Sequence, residues 1–236
     1  MNPCTLGEGD VALELSGENL TLLPERALFW NDRRILFVAD PHFGKAATFR
    51  AGGIPVPSGT TGDALERLTS AVTRTNATTL VFLGDLLHAK AGRSKSMFDA
   101  LLRWRDTKTE VELVLVRGNH DRSAGDPPAE LGIRCENSPN VMPPFVLAHH
   151  PIADERGYVL AGHVHPGVRL YGAGRQRVRL PCFVFSSEVG ILPAFGDFTG
   201  FADADPSDDA EVYAIADGCV IKAEKPRSKT PRGFET

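Results

Sequence analysis

The sequence has few cysteines, no long apolar run and no excess of basic residues. Its four cysteines lie far apart without a paired CxxC spacing, which argues against a zinc finger or a disulfide framework. No apolar run approaches the roughly 18 residues of a membrane span, and the first residues lack the basic start of a signal peptide. We therefore expect a cytoplasmic protein with no membrane segment.

The charge balance limits how the protein can hold a nucleic acid. A net charge of −4 and a pI near 6.0 do not give the basic face expected of a protein that binds DNA through phosphate contacts alone. A metal centre would supply the missing positive charge. The length of 236 residues and the 42% hydrophobic content suit one full core, so we predict a single domain over residues 1–223. Residues 224–236 carry four basic residues and no apolar pattern, which predicts a flexible basic tail.

Strand-like and helix-like segments alternate through the first half of the chain. Residues 11–39 offer short β-like stretches typical of a meander at a sheet edge. Apolar residues at helical spacing predict helices over residues 58–74, with Ser58, Thr60 or Thr61 as N-cap, and over residues 95–106. This alternation indicates an α/β sheet, in which ligands gather beyond the carboxyl ends of the strands. From Val168 onward the pattern predicts two β-hairpins.

Five apolar runs each end in residues that can bind a metal ion. The most specific motif is the sequence GNHD after the run VELVLV, because an Asn oxygen binds hard metals and the next imidazole can reach a substrate. The sequence GHVH adds two imidazoles on alternate residues. The candidate residues at the five run ends are Asp40 and His42, Asp85, Asn119 with His120 and Asp121, His149 with His150, and His163 with His165.

One histidine alone is more often a satisfied core or surface residue than a metal ligand. The conjunction of the five motifs changes that balance. Without a cation, this many acids and imidazoles near strand ends would leave unpaired buried charges, each costing several kcal/mol. The sequence therefore predicts a metal centre. A carboxylate shared by two divalent ions can bridge them, which predicts a two-metal hydrolase.

The motifs DPH, GD, GNHD, HH and GHVH occur in the order and context of the calcineurin-like metallophosphoesterases, which residues 35–166 resemble. A narrower resemblance, to the bacterial ligase-associated DNA damage response endonucleases, is carried by DPHFGKAATFRAGGIPVP, GHVHP, LPCFVF and ILPAFGDFTG. The family resemblance implies a four-layer α/β sandwich of two packed mixed β-sheets flanked by helices. It also implies two divalent metal ions, with Mn²⁺ expected, although mixed oxygen and nitrogen ligands also suit Fe or Zn.

The resemblance also assigns roles to individual residues. Its pattern makes His120 the proton donor to the leaving oxygen, with Asn119 and Asp121 beside it and Asp121 orienting the His120 ring. His149 is expected as a ligand because it directly follows the strand and precedes His150-Pro151, which leaves His150 as a neighbour. The implied metal ligands are Asp40, His42, Asp85, Asn119, His149, His163 and His165. Lys45, His88 and His150 are weaker candidates for contacts with the substrate.

Three functions fit these residues. The first is a DNA endonuclease acting in repair through a metal-bridging hydroxide, with a DNA ligase and a helicase as partners implied by the narrower resemblance. The second is a small-molecule or nucleotide phosphodiesterase or phosphatase, which the acidic net charge favours. The third, a metallophosphoesterase fold that acts only as a scaffold, does not require His120 together with every expected ligand.

Overall fold

Seven strands form the first β-sheet of the computed structural model, which describes residues 7–56, 59–171, 177–197, 199–203 and 209–223. The strands lie in sequence order across the sheet. The first four pair antiparallel as a meander, and the last four pair parallel. Their bounds are β1 (Val11–Leu15), β2 (Glu18–Leu23), β3 (Ala27–Trp30), β4 (Ile35–Val38), β5 (Thr79–Phe82), β6 (Glu112–Val116) and β7 (Ile133–Glu136).

The second sheet is also mixed and follows the first in sequence. Its strands are β8 (Asn140–Met142), β9 (Phe145–Leu147), β10 (Tyr158–Ala161), β11 (Pro166–Tyr171), β12 (Arg177–Phe185), β13 (Val189–Ile191), β14 (Ala202–Asp203), β15 (Glu211–Ala216) and β16 (Cys219–Lys222). Their order across the sheet is β14-β11-β12-β13-β10-β9-β8, and β15 pairs with both β12 and β16. Strands β9, β10 and β13 are mutually parallel.

The described helices connect strands of the first sheet. They are α1 (Lys45–Ala51), α2 (Thr60–Thr75), α3 (Lys95–Asp106) and α4 (Asn119–Ala124), with short 3₁₀ turns at Lys90–Gly92 and Ala129–Leu131. The two long helices, α2 and α3, pack on the outer face of this sheet. No helix lies against the outer face of the second sheet within the described ranges. None of the helices seen here has both the length and the apolar character needed to cross a membrane.

Alternation along the strands divides the core into two layers. Leu36 and Val38 of β4 face α2 and α3, whereas Phe37 faces the second sheet. This follows from the two-residue period of a strand, because consecutive side chains point to opposite faces. The central strands are therefore apolar on both faces, as expected for parallel strands covered on both sides. Trp30 and Phe145 meet edge to face between the sheets, with ring centroids 4.9 Å apart.

The structure confirms the predicted fold class of two packed mixed β-sheets with flanking helices, and the described helices form one of the two outer layers of the predicted four-layer sandwich. The meander, the two long helices and the two hairpins are also present. The N-cap prediction for α2 needs correction, since Gly59 caps this helix with φ 100° and no side-chain hydrogen bond. Ser58 and the tail over residues 224–236 lie outside the described residues. The single domain over residues 1–223 stays a prediction.

Candidate metal centre

The first group of donors comes from β4 and β10. Asp40 and His42 follow β4, and His165 follows β10. Asp40 is fully buried and His42 is buried. The Nε2 atom of His165 lies 3.6 Å from Asp40 Oδ1 and 3.3 Å from His42 Nε2. The three side chains therefore present a carboxylate oxygen and two ring nitrogens to one point, close enough to hold one ion.

The second group comes from β6, β9 and β10. His149 follows β9 and is fully buried, whereas Asn119 begins α4 and His163 follows β10. The Nε2 atom of His149 lies 2.9 Å from Asn119 Oδ1 and 3.1 Å from His163 Nδ1. The His149 Nδ1–H donates to the carbonyl of Leu83 at 3.1 Å, which leaves Nε2 free for a ligand.

Asp85, at the end of β5, lies between the two groups. Its Oδ1 is 3.4 Å from His149 Nε2, and its Oδ2 is 3.8 Å from His42 Nε2. Each carboxylate oxygen thus faces a different group, which is the arrangement that a bridging ligand requires. Gly84 and Gly118 make this approach possible, because a Cβ on Gly84 would overlap the His149 ring and one on Gly118 would overlap the Asp85 carboxylate.

The backbone at these donors is strained. Five of the ten described non-glycine residues with positive φ belong to the two groups: Asp40, His42, Asp85, His163 and His165. This left-handed conformation is uncommon for residues with a side chain and persists where the surrounding structure enforces it, commonly at functional sites. Here each such residue lies two to four residues after the end of a strand and directs its side chain into the same small volume.

The chemistry of the unpaired atoms fits divalent cations. The buried Oδ1 of Asp40 and Nδ1 of His42 have no hydrogen-bond partner. Two pairs of ring nitrogens face each other, His42 with His165 and His149 with His163. Two neutral imidazoles in such a pair can share only one proton, whereas a cation would satisfy both nitrogens. Buried carboxylates and imidazoles without a basic partner are stable when they coordinate a metal.

The electrostatics keep His42 and Asp85 in the forms that bind metals. Burial lowers the pKa of His42 to about 2, although the charge of Asp85 opposes this shift. Burial alone would raise the pKa of Asp85, but the hydrogen bond and charge of His149, with smaller contributions from His42 and the His120 amide, lower it overall. His42 is therefore neutral and Asp85 ionised near neutral pH, as coordination requires. Burial alone would lower the pKa of His149, but the hydrogen bond and charge of Asp85 raise it overall, so His149 must release a proton when it binds a metal ion.

His120 lies beside Asp85, and a hydrogen bond to the backbone, not to a metal donor, orients its ring. Its Nδ1 is 2.7 Å from the carbonyl oxygen of His88, so Nδ1–H donates and Nε2 faces the donors, 3.9 Å from Asp85 Oδ2. The ring of His88 stacks on that of His120 with centroids 5.0 Å apart. Burial, and then the charges of Lys45 and His120, lower the pKa of His88 to about 4.

The predicted contact between Asp121 and the His120 ring is wrong. The Asp121 carboxylate accepts from the backbone amides of Leu87 at 3.1 Å and Gly118 at 2.9 Å. Asp121 lies in the first turn of α4, where a carboxylate readily accepts from free amides at the helix start. Asp121 therefore fixes α4 against the β5 loop, and the carbonyl of His88 orients the ring.

The weaker candidates all lie near the donors. Lys45 is half-buried over the ring of Phe49, and burial lowers its pKa against the opposing charges of Asp40 and Asp85. His150 is exposed, with its ring centroid 4.2 Å from that of His163. His149 is fully buried among the donors, but a ring nitrogen of His150 also lies close enough to those of His149 and His163 to hold an ion with them. The choice of His149 over His150 as ligand therefore stays a prediction. A contact of Lys45, His88 or His150 with substrate stays a prediction.

A support for the first donor group was not predicted from the sequence. The segment after β13 passes under Asp40, where Phe195 and Gly196 donate backbone hydrogen bonds to the carbonyls of Ala39 and Asp40. Asp197 anchors this segment through ion pairs with Arg26 and Arg67. In the sequence, ILPAFGDFTG carries a family resemblance but no sign of this contact. The arginines belong to distant segments, and their spacing carries no signal of this contact.

A second support fixes α4, the helix that carries Asn119 and His120. The Arg93 guanidinium donates to the carbonyls of Ala124, Gly125 and Asp126 at 3.0 to 3.2 Å. These carbonyls lie at the carboxyl end of α4, where backbone acceptors lack helical partners. Arg93 thereby holds the end of the helix opposite to the metal donors.

We expect Gly196→Ala to impair the first donor group selectively. A Cβ at Gly196 would overlap the carbonyl of Pro41, between Asp40 and His42, so the backbone must shift. The expected result is loss of about one bound ion per chain, measured as metal content by mass spectrometry, with thermal unfolding shifted by the equivalent of about 1–3 kcal/mol. Gly62→Ala in α2 is the matched control, because its Cβ meets nothing within 4 Å. Full metal content with unchanged affinity in Gly196→Ala would contradict this support.

A two-sheet α/β fold that gathers carboxylate, imidazole and amide donors at its strand ends has the architecture of a metal-dependent hydrolase. The profile of the calcineurin-like phosphoesterases matches residues 33–179. The match covers more than half of the chain, which therefore belongs to this family. Members of the family bind divalent metal ions, in agreement with the donor groups described above.

One solved structure is similar to this protein over almost the whole chain. The crystal structure of Pseudomonas putida nuclease MPE is 40% identical, covers 91% of this chain and 100% of its own, and superimposes with a TM-score of 0.80. Yfce, a phosphoesterase from E. coli, is 18% identical over 79% of this chain and 96% of its own, with a TM-score of 0.40. At that similarity Yfce supports no conclusion. No curated protein matches the chain significantly.

Proposed function

We propose that the protein is a phosphodiesterase that cleaves DNA with two divalent metal ions. The observation that carries this proposal is the convergence of donors from five strand ends into two groups around one carboxylate, in a chain 40% identical to a nuclease. Asp40, His42 and His165 would hold one ion, and Asn119, His149 and His163 the other, with Asp85 shared. Mn²⁺ is the proposed metal, and Fe or Zn also suit the mixed donors.

When bound, two such ions supply positive charge to the phosphate and activate a water molecule for attack. The residues of the chain supply the rest. With its Nδ1–H donating to the His88 carbonyl, His120 carries a second proton on Nε2 only as the imidazolium cation, and in that form it can donate the Nε2 proton to the departing oxygen. Lys45 adds a positive charge on the side of the first donor group, within reach of the charges of Asp40 and Asp85. Walls of apolar core exclude water from beneath the donors.

The wider cellular role rests on the sequence resemblance alone. We propose that the cleavage belongs to cytoplasmic DNA repair, together with a DNA ligase and a helicase, as in the ligase-associated endonucleases that the motifs resemble.

Cleavage of closed circular DNA tests the proposed function directly. Mn²⁺-loaded protein is incubated with single-stranded and with duplex circles, and nicked and linear products are measured. Asp85→Asn from an identical preparation controls for contaminating nucleases. We expect products only with the wild type, since an endonuclease alone can open a circle.

A small-molecule phosphodiesterase is the second candidate, favoured by the net charge of −4. A protein of this charge must bind a polyanion through local cations and bound metal rather than through its overall field. Intact circles, with a small phosphodiester still hydrolysed by the same sample, would select this second function over a nuclease.

A further inference from the structure

A cleft of about 300 Å³ opens beside the second donor group and is not used by the chemistry described so far. Gly118 and Asn119 belong to both the cleft and the donor site. Its floor is apolar, formed by Val146 and Ala148 of the β9 region, and Ile152 stands at its mouth. The cleft is therefore continuous with the position where a scissile phosphate would lie between the donor groups.

The charges around the cleft leave one cation available to a ligand. Arg117 is engaged by Asp126 at 2.7 Å, and Asp154 is engaged by Arg156. Arg122 is exposed, and among the described residues it makes no ion pair. It follows Asn119 by three residues in α4, which places the two side chains on the same face of the helix. A guanidinium in this position faces the same cleft as a proposed metal ligand.

The apolar side of the cleft is exposed to an unusual degree. Ile152 is 73% exposed, the largest value among the exposed large hydrophobic residues that the structure describes. Removing a large aliphatic side chain from contact with water lowers the free energy. Apolar side chains can pack on the faces of unstacked bases. The apolar wall matches a base, and the free guanidinium matches the phosphate next to it. The adjacent metal donors match the scissile phosphate.

We propose that this cleft binds the nucleoside next to the scissile phosphate, with the base against Ile152 and the following phosphate on Arg122. The inference rests on the proposed function and adds a specificity site to it. A volume of about 300 Å³ lies at the lower end of small-molecule sites, which suits one extruded nucleoside and excludes a duplex segment. Arg122 and Ile152 act in binding and do not touch the reacting atoms.

The test compares two substrates with the metal-loaded protein. Oligodeoxythymidylate has a base and a second phosphate that can occupy the cleft. Methyl p-nitrophenyl phosphate has neither, so only its methyl group can lie toward the cleft. Arg122→Met keeps the side-chain length and removes the charge. We expect it to lower the ratio of kcat/KM for oligodeoxythymidylate to that for the small diester about tenfold, mainly through KM. The salt dependence of KM should also weaken by about one phosphate contact.

Ile152→Asp and Ile152→Asn separate charge from shape at the mouth of the cleft. Both remove the apolar surface, but only the aspartate repels a phosphate, so we expect a larger fall in the same ratio for aspartate. Arg103→Met on α3, an exposed arginine on another helix, should leave both rates unchanged. Metal content is measured for every variant, so that a folding defect is recognised.

The possible outcomes separate this inference from the proposed function. Wild type that cleaves both substrates, with ratios preserved in Arg122→Met and Ile152→Asp, would overturn the cleft and leave the nuclease function intact. Wild type that hydrolyses only the small diester, and leaves circular DNA intact, would overturn the nuclease function and the cleft together. A ratio that falls in the arginine and aspartate variants, with metal retained, supports the cleft.

Discussion

Replacement of Asp85 by asparagine is expected to remove both bound metal ions together and to lower kcat by at least about 10³-fold, equivalent to about 4 kcal/mol. Asp85 presents its two oxygens to ring nitrogens of different groups, with His149 Nε2 3.4 Å from Oδ1 and His42 Nε2 3.8 Å from Oδ2. Asparagine keeps the size of the side chain. However, it removes the negative charge and turns an NH₂ group toward one of the two histidines.

Metal stoichiometry by mass spectrometry and the rate on circular DNA measure this effect. The matched control is Asp99→Asn in α3, which changes the charge equally at an exposed ion pair with Lys95. The control should keep both ions and the full rate. If Asp85→Asn lost a single ion and kept the other with its original affinity, Asp85 would belong to one group only, and a bridging role would be wrong.

The donor side chains could be predicted from the sequence because of a general property of sheets. The apolar runs ILFVA, TLVFL and VELVLV become the neighbouring parallel strands β4, β5 and β6, whose carboxyl ends meet at one edge. A carboxylate or amide placed just after each run must therefore reach the same region. The run YVLA, followed by GHVH, adds two histidines from the second sheet by the same logic.

The partners of those side chains could not be predicted. His149 donates to the carbonyl of Leu83, His120 to that of His88, and the Nδ1 of His165 lies 3.3 Å from that of Thr199. Every residue carries the same carbonyl group, so nothing in the residue types distinguishes these three. The contact depends on loop geometry, which is also why the expected pairing of Asp121 with the His120 ring failed.

Long-range ion pairs also could not be predicted from the sequence, because their partners lie far apart along the chain. Asp197 pairs with Arg26 across 171 residues and with Arg67 across 130, and neither arginine lies near a motif. Only the three-dimensional fold shows that this carboxylate anchors the segment beneath Asp40. The candidate metal donors can thus be predicted from strand ends, whereas the residues that position them depend on packing between distant segments.

His120→Ala is expected to keep both metal ions and to lose about 10² to 10⁴ in kcat on DNA. The His120 ring is held by the carbonyl of His88, not by the donor groups, and its Nε2 is 3.9 Å from the nearest donor oxygen, Asp85 Oδ2. Removing the ring therefore leaves the donor side chains in place. What is lost is the proton that the departing 3′ or 5′ alkoxide needs, and an alkoxide is a very poor leaving group without one.

The leaving group provides the control for this prediction. All seven histidines lie in or beside the site, so no distant histidine can serve as a matched variant. Bis(p-nitrophenyl) phosphate releases a nitrophenolate that departs without protonation. A proton donor should therefore matter on DNA and matter little on this diester. The rates on both substrates and the metal content are measured on one preparation of His120→Ala.

Two results would contradict the assignment of His120 as proton donor. Loss of metal in His120→Ala would make the residue a ligand or a support of one, in conflict with the orientation of its ring. An equal loss of rate on DNA and on bis(p-nitrophenyl) phosphate, with metal retained, would instead indicate that His120 binds the phosphate in both substrates. Only a loss that grows with the basicity of the leaving oxygen fits a histidine that protonates this oxygen from Nε2.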